Sequence, residues 1–226
     1  MGTGLGRLLN LGLRPLGLSL YPINAEQPSS KIETRAVVDI PQLYLDGCRV
    51  LSNRVELLRA LGGNGGVAAE IGVANGDFSA QILSGYKPSA LHLIDPWSHE
   101  IYAGGFDVVH ARFAQEIDSG SVMVHRGTSV LVLPTLAQDS FDFVYLDTTH
   151  KYDDTVQELQ LCRSLIREGG RLAGHDFCVG SPESAFAYGV IPAVYEFCMV
   201  HQWAMEYVSL DANGHFSFCL KRMTPS

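Results

Sequence analysis

The stretch VAAEIGVANG occupies residues 67–76, and the stretch LHLID follows at residues 91–95. The first apolar run contains Glu70 near its end, and the second ends in Asp95. Gly72 and Gly76 flank a tight turn after the first run, and a helical pattern begins directly after them. This order is typical of a β-α-β unit in a parallel sheet, which binds ligands at the carboxyl ends of its strands.

Further apolar runs continue this alternation. Strands are predicted at residues 121–125, 141–146 and 171–173, and the clearest helix spans residues 155–167 and is ended by a pair of glycines. The last two runs, residues 205–210 and 215–220, are joined by Asp-Ala-Asn-Gly, a strong hairpin signal. The sequence therefore predicts an α/β, Rossmann-like sheet of seven strands, mostly parallel, with a C-terminal antiparallel hairpin.

Composition restricts the class of protein. The 226 residues carry a formal net charge of −8, and because no basic run is present we expect no nucleic-acid partner. The five cysteines are widely spaced without a CxxC pair, so neither a disulfide framework nor a thiolate zinc site is expected. This cysteine usage favours a reducing, cytoplasmic compartment.

The N-terminus differs in character from the rest. Residues 1–21 are leucine-rich, but glycines, Arg14 and Pro15 interrupt them, so no transmembrane segment is predicted. We therefore expect an N-terminal arm and lead-in segment over residues 1–50 and the main domain over residues 51–226. The arm could pack on the domain or on a second copy, which makes a homo-oligomer an option, and a weak contact with a membrane surface is the alternative.

The motifs together carry a family resemblance. The glycine turn, an acid after the second strand, an Asp after the fourth and the closing hairpin resemble the class I S-adenosylmethionine-dependent methyltransferases. Within them, YLDTTHKY at residues 145–152 and GRLAGHDF at residues 170–177 resemble the macrocin O-methyltransferase-like group and, more distantly, the catechol O-methyltransferases. The resemblance implies methyl transfer to a hydroxyl of a small-molecule metabolite, as in natural product biosynthesis, with S-adenosylmethionine and a divalent cation, Mg²⁺ or alternatively Mn²⁺.

The resemblance also implies a cofactor site. Gly72 and Gly76 would allow close approach, Asp95 would hold the ribose hydroxyls, and Glu70 would face the cationic ammonium of the methionine portion. Thr128 or Ser129 would contact the adenine, although a helix N-cap is an equally good interpretation. Trp97 is a further candidate for the adenine face, with a core position as the alternative.

The proposed reacting end combines acids and histidines. Asp147 follows the fourth strand and Asp176 the fifth, so both carboxylates could reach one hard cation. His175 stands where relatives often have another acid, as a third ligand or as a supporting group; imidazole suits Mn²⁺, Fe²⁺ or Zn²⁺ better than Mg²⁺. The alternative is that Asp147 contacts the cofactor or caps a helix, and that Asp176 caps a loop.

His150 is the candidate general base. It follows Asp147 by three residues, where catechol-type relatives have a catalytic lysine, and imidazole suits proton abstraction from a hydroxyl. The alternative is a structural histidine. The remaining histidines, including His215, have no constellation of partners in the sequence, and His92, which alternates with leucines in a strand, is expected to be structural.

Three other functions remain open. A methyltransferase without a metal would use His150 alone, and a dehydrogenase would also need a glycine turn and an acid after the second strand. An inactive scaffold that binds S-adenosylmethionine is the non-enzymatic option. The joint presence of Asp147, His150 and Asp176 argues against that last option.

Overall fold

The computed structural model describes residues 38–62, 65–180 and 187–224. Its central feature is one sheet of eight strands. In chain order these are β1 (Arg49–Leu51), β2 (Val67–Ile71), β3 (Ala90–Asp95), β4 (Val122–Arg126), β5 (Phe141–Leu146), β6 (Ile166–Gly174), β7 (Trp203–Ser209) and β8 (Phe218–Arg222).

The strand order across the sheet is β1-β7-β8-β6-β5-β2-β3-β4. Only β8 runs antiparallel to its neighbours β6 and β7, and all other pairings are parallel. The α/β Rossmann-like class and the C-terminal antiparallel pair are thus confirmed. The sheet has eight strands instead of the predicted seven, because Arg49–Leu51 adds a short parallel strand beside β7.

Seven α-helices cover the sheet within the described ranges. They are α1 (Arg54–Leu61), α2 (Asp77–Gly85), α3 (Gly105–Arg112), α4 (Ala114–Asp118), α5 (Ser129–Val132), α6 (Tyr152–Leu165) and α7 (Val190–His201). Local chemistry fixes the ends of α1: the Asn53 side chain accepts hydrogen bonds from the backbone N–H of Val55 and Glu56, and Gly62 closes the helix in a left-handed conformation.

The hydrophobic core forms two layers, one on each face of the sheet. Successive strand residues point to opposite faces, so Ala68 joins one layer and Ala69 the other. The first layer contains buried residues of α1, α2 and α3, and the second contains those of α6 and α7. Strands that are buried on both faces explain why the apolar runs are nearly continuous instead of alternating.

The boundary between α6 and β6 was predicted incorrectly. The helix ends at Leu165, and β6 begins at Ile166, which pairs with Phe141. The two glycines therefore do not end a helix: they lie inside β6, where the register with β5 shifts and Gly169 adopts φ +77°. Such a bulge needs a residue that tolerates positive φ, and the sequence pattern did not separate it from a helix stop.

The connection between the two C-terminal strands is longer than predicted. The turn at Asp211–Gly214 forms, with the Gly214 N–H donating to the Asp211 carbonyl at 2.9 Å. However, β8 begins at Phe218, three residues after the predicted start at His215. In the residues before β8, the Phe216 carbonyl accepts from the Phe177 N–H and the His215 side chain bonds to Asp176, both just after β6.

None of the described helices is long and apolar enough to cross a membrane. Positions 1–37, which include the predicted arm, lie outside the described residues.

Candidate active site

The glycine turn after β2 brings three strand ends together. Gly72 has φ +88°, its N–H donates to the Ile94 carbonyl at 2.9 Å, and a Cβ at this position would lie 1.8 Å from the Asp147 carbonyl oxygen. No side chain fits there, so glycine is required by both space and conformation. Gly76, with φ +77°, then starts α2. Because of this contact, Asp147 lies directly beside the turn.

Asp95 holds the same turn from the next strand. Its Oδ2 accepts from the N–H of Val73 at 2.8 Å and of Ala74 at 3.0 Å, and its Oδ1 accepts from the N–H of Trp97 at 2.6 Å. A carboxylate has about four acceptor sites, so part of its capacity remains for a ligand hydroxyl. Trp97 is buried and donates from Nε1 to the Ala74 carbonyl at 2.7 Å, which is the core position among the two alternatives for this residue.

Glu70 lies under the turn and is 1% exposed. The Ser79 hydroxyl on α2 donates to its carboxyl group. Burial raises the pKa of Glu70 to about 8, which the Ser79 hydrogen bond only partly offsets. This carboxyl group is therefore mainly protonated at neutral pH, and only a cation placed beside it, such as an ammonium, would favour its ionised form.

The segment predicted to contact adenine follows β4. Thr128 is exposed and precedes α5 as its N-cap residue, but its side chain makes no capping hydrogen bond. The Ser129 hydroxyl donates to Glu158 Oε1 on α6 at 2.6 Å, and the Thr148 hydroxyl donates to Glu158 Oε2 at 2.6 Å. Of the two candidates, Thr128 thus has the side chain that is open to a ligand.

The structure places the two predicted carboxylates at neighbouring strand ends. His175 Nδ1 lies 3.6 Å from Asp147 Oδ2 and 3.4 Å from Asp176 Oδ2. Ligand atoms of these three residues all lie within 4.8 Å of one another. Two carboxylate oxygens and an imidazole nitrogen at such spacing fit a divalent cation, with modest adjustment to metal–ligand distances of about 2.0–2.2 Å.

His150 lies between the same carboxylates. Its Nε2 is 2.8 Å from Asp176 Oδ2 and 3.4 Å from Asp147 Oδ1. Burial alone would lower the pKa of His150, but hydrogen bonds and attraction from the two acids outweigh it and raise the pKa to about 9. The imidazole is therefore mostly protonated at neutral pH in this arrangement.

Asp176 is the centre of the cluster. It is buried and adopts φ +55°, a conformation that Asp and Asn tolerate better than most residues. Burial would raise the pKa of its carboxyl group, but contacts with His150, His175 and His215 hold it well below the usual range. The carboxylate is therefore ionised and surrounded by three imidazoles.

Two residues of the cluster were missed from the sequence. His215 Nδ1 bonds to Asp176 Oδ1, so the expectation that His215 lacks a constellation is wrong. Arg54, at the start of α1, places Nη1 3.6 Å from Asp147 Oδ2. The turn signal before His215 located it near a strand end, but no local signal connects Arg54 with a residue so distant in sequence.

A cavity of about 380 Å³ lies at the opposite, amino-terminal edge of the sheet. Its charged side chains neutralise one another, since Arg167 pairs with Asp142 and Arg171 pairs with Glu206. Because these charges are already paired, they provide little specific attraction for a charged ligand. The carboxyl edge, with its convergent acids, histidines and glycine turn, is the better candidate for chemistry.

One family model and several solved structures resemble this chain. Residues 69–177 match the family model described as a methyltransferase domain. A search of curated protein sequences found no significant match. The O-methyltransferase TomG from Streptomyces achromogenes, involved in tomaymycin synthesis and solved in complex with SAM, is 19% identical over 75% of this chain and 78% of its own, with a TM-score of 0.54.

Two further solved structures have the same fold. Cofactor-bound Rv0187 from MTB is 18% identical over 82% of this chain and 85% of its own, with a TM-score of 0.57. An rRNA methylase from Streptococcus thermophilus is 13% identical over 76% of this chain and 95% of its own, with a TM-score of 0.54. Likeness at these identities establishes the fold, and the family model covers slightly less than half of the chain. The chain thus has the fold of these methyltransferases, and residues 69–177 match the methyltransferase domain model.

Proposed function

We propose that this chain transfers a methyl group from S-adenosylmethionine to a hydroxyl of a small-molecule metabolite, with assistance from a divalent cation. One observation carries the proposal: the glycine turn touches Asp147, so a cofactor at Gly72 would lie next to the Asp147, His150 and Asp176 cluster. Methyl transfer depends mainly on aligning the acceptor oxygen with the methyl carbon. A cofactor site beside the carboxylate and histidine cluster would place the methyl donor next to the acceptor hydroxyl.

The cofactor side of the proposal uses the residues around the turn. Gly72 and Gly76 would leave room for the methionine portion, and the remaining acceptor capacity of Asp95 would bind a ribose hydroxyl. Glu70 would face the cofactor ammonium, which would favour its ionised form. Thr128, which is exposed at the N-terminus of α5, would contact the adenine, and Ser129 would do so through its backbone while its hydroxyl bonds to Glu158.

The metal side of the proposal rests on the donor set. Asp147, Asp176 and His175 would hold the ion, either Mg²⁺ or, given the imidazole, Mn²⁺. When bound, such an ion supplies Lewis-acid stabilisation of the hydroxylate form of an acceptor. The same carboxylates contact His150 and Arg54, so these two cations must share the carboxylates with the ion or yield to it.

His150 is the proposed general base. It lies beside both carboxylates, and it can accept the acceptor's proton only in its neutral form. The pKa of about 9 makes it a strong base with a small neutral fraction at neutral pH. Asp147 and Asp176 would orient its imidazole and stabilise the imidazolium that forms.

A second candidate is metal-independent methyl transfer. One observation favours it: Arg54 and protonated His150 already compensate the charges of Asp147 and Asp176. The cluster then needs no ion for electrostatic balance. A nucleic-acid acceptor, as named for the rRNA methylase of the same fold, is disfavoured by the formal net charge of −8.

The remaining features of the proposal follow from the sequence. Similarity of residues 145–152 and 170–177 to the macrocin O-methyltransferase-like group supports a natural-product acceptor. The five free cysteines support a reducing, cytoplasmic compartment. Association of two copies through the N-terminal arm remains a proposal, since the arm lies outside the described residues.

A pair of matched substitutions tests the leading proposal. We expect Asp147→Asn to lower methyl transfer to hydroxylated acceptors by at least about 100-fold, the scale of a lost electrostatic stabiliser. Binding of S-adenosylmethionine, measured by calorimetry, should change only a few-fold. Asp139→Asn, in the exposed loop before β5, is the control and should leave both quantities unchanged.

Unchanged turnover in Asp147→Asn would remove the proposed catalytic role of the cluster. Omission and restoration of Mg²⁺ or Mn²⁺ separates the two candidates, because metal-independent transfer survives chelation. Mass spectrometry of the purified protein for S-adenosylhomocysteine gives an independent readout of cofactor binding.

A further inference from the structure

A second group of potential ligands lies beside the first. Asp176 and Cys178 follow β6, His215 lies between β7 and β8, and their carboxylate, thiol and imidazole atoms all lie within 4.8 Å of one another. We propose that these three residues form a site for a thiophilic divalent cation of the Zn²⁺ type. The proposal goes beyond methyl transfer and does not require it.

Backbone contacts build this site from two distant segments. The Cys178 N–H donates to the Asp176 carbonyl at 2.7 Å, which makes a tight turn that holds the two side chains near each other. The Phe177 N–H donates to the Phe216 carbonyl at 2.9 Å, and this bond fastens the β7–β8 connection to the end of β6. His215 is therefore held in place by main-chain bonds of its neighbours as well as by its own side chain.

The carboxylate of Asp176 separates the two groups of ligands. Its Oδ1 contacts His215 Nδ1, whereas its Oδ2 lies 2.8 Å from His150 Nε2 and 3.4 Å from His175 Nδ1. One oxygen thus faces the thiol-containing group and the other faces the carboxylate-rich group. A carboxylate in this position can serve either site, or bridge both.

The ligand types indicate the ion. Thiolate and imidazole ligands with one carboxylate suit Zn²⁺, whereas Mg²⁺ takes oxygen ligands and avoids sulfur. Three protein ligands leave a fourth tetrahedral position for water or another group. The Cys178 thiol, which now bonds weakly to the Gly180 carbonyl at 3.7 Å, would have to lose its proton on binding. An ion here would tie the β7–β8 connection to β6.

Cobalt substitution provides a direct test. We expect the whole protein with Co²⁺ to show a near-ultraviolet thiolate-to-metal charge-transfer band, which Zn²⁺ displaces. Cys178→Ser should lose the band and bind Zn²⁺ at least about tenfold more weakly, and His215→Gln should also weaken Zn²⁺ binding at least about tenfold. Cys48→Ser removes another partly exposed free cysteine and should behave as the parent protein.

The controls keep this result separate from methyl transfer. Circular dichroism of each variant in chelator checks folding, and the His215→Gln variant, which keeps the thiol, tests the site if Cys178→Ser folds poorly. Binding of S-adenosylmethionine and turnover are measured on the same samples, so a failed methyl-transfer assay does not affect the metal result. A thiolate band that survives in Cys178→Ser, or equal Zn²⁺ affinity in Cys178→Ser and Cys48→Ser, would overturn the proposal.

Discussion

The histidines of this chain fall into two groups with opposite surroundings. His92 on β3 and His125 on β4 stack with ring centroids 5.1 Å apart, and His92 Nδ1 lies 3.0 Å from His125 Nε2. At the carboxyl edge, three other histidines surround the Asp176 carboxylate. Both groups are partly buried, so burial alone does not distinguish them.

The difference is the presence of a carboxylate. Burial, assisted by His125, lowers the pKa of His92 to about 4, because both disfavour a positive charge on the ring. Burial acts in the same direction on His150, but Asp147 and Asp176 outweigh it and raise the pKa to about 9. The same residue type is therefore a neutral packing group in one place and a cation in the other. Histidines that are partly buried beside carboxylates, as His150 is, are the ones that indicate a functional site.

Removal of the Asp176 carboxylate should have the largest effect on the difference between the two groups of histidines. We expect Asp176→Asn to lower Mn²⁺ affinity and methyl transfer by at least about 100-fold each, since the ion and the histidines lose the charge they share. Asn tolerates the left-handed backbone at this position, where φ is +55°, so the fold should persist. Calorimetric titration of Mn²⁺ and initial rates with a hydroxylated acceptor measure the two effects.

His125→Gln is the matched control, because it changes a partly buried histidine that has no carboxylate partner among the described residues. We expect it to leave Mn²⁺ affinity and turnover within a few-fold of the parent. If Asp176→Asn kept both properties, the carboxyl-edge cluster would be as structural as the stacked pair, and the proposed function would lose its chemical centre.

The sequence predicted the parallel part of the sheet well because buried strands leave long apolar runs. Phe141–Leu146 has the bounds expected from its residues. The glycine pair near residue 169 misled the prediction, since a bulge inside β6 and a helix stop both need positive φ. Only the pairing of Ile166 with Phe141, which is a tertiary contact, distinguishes them.

The candidate site was predictable only where its residues follow strands. Asp147 and Asp176 could be placed together because neighbouring parallel strands end at one edge of the sheet. His215 and Arg54 could not, because one comes from the hairpin connection and the other from the first helix, and their approach depends on the folded sheet order. The sequence also could not show which side chains already have hydrogen-bond partners. The hydroxyl of Ser129, a candidate for adenine binding, donates to Glu158.

A third carboxylate sharpens the comparison, since Asp95 has backbone N–H donors in place of histidines. We expect Asp95→Ala to weaken binding of S-adenosylmethionine by roughly 1–3 kcal/mol, the scale of a lost charge-assisted hydrogen bond. The turn at Val73 and Ala74 would also lose its acceptor, so some loss of stability should accompany the change. Calorimetry with S-adenosylmethionine and S-adenosylhomocysteine measures the first effect, and thermal unfolding measures the second.

Asp95→Asn separates the two contributions. The amide keeps one oxygen as an acceptor for the turn but removes the charge, so stability should recover more than affinity does. An affinity unchanged in both variants would assign Asp95 to the turn alone and would leave the ribose without a proposed partner.

The smallest effect concerns the stacked pair and acid stability. The pKa of His92 falls from its ordinary 6.5 to about 4 in the folded protein. The unfolded chain therefore binds more protons between these values, and stability present above pH 6.5 is lost as the pH falls towards 4. Because both rings are partly exposed, we discount the effect for solvent screening and expect a loss of about 1–2 kcal/mol in the free energy of unfolding.

His92→Leu should flatten this part of the pH dependence, since leucine has no proton to gain on unfolding. Urea unfolding of the parent and of the variant at pH 7 and pH 4.5 measures how much free energy of unfolding each protein loses over this pH range. His99→Leu is a suitable control, because His99 is exposed and lies beyond the end of β3. Equal acid sensitivity in His92→Leu and the parent would mean that the pair is not held neutral by burial. The contrast with the carboxyl-edge cluster would then rest on the carboxylates alone.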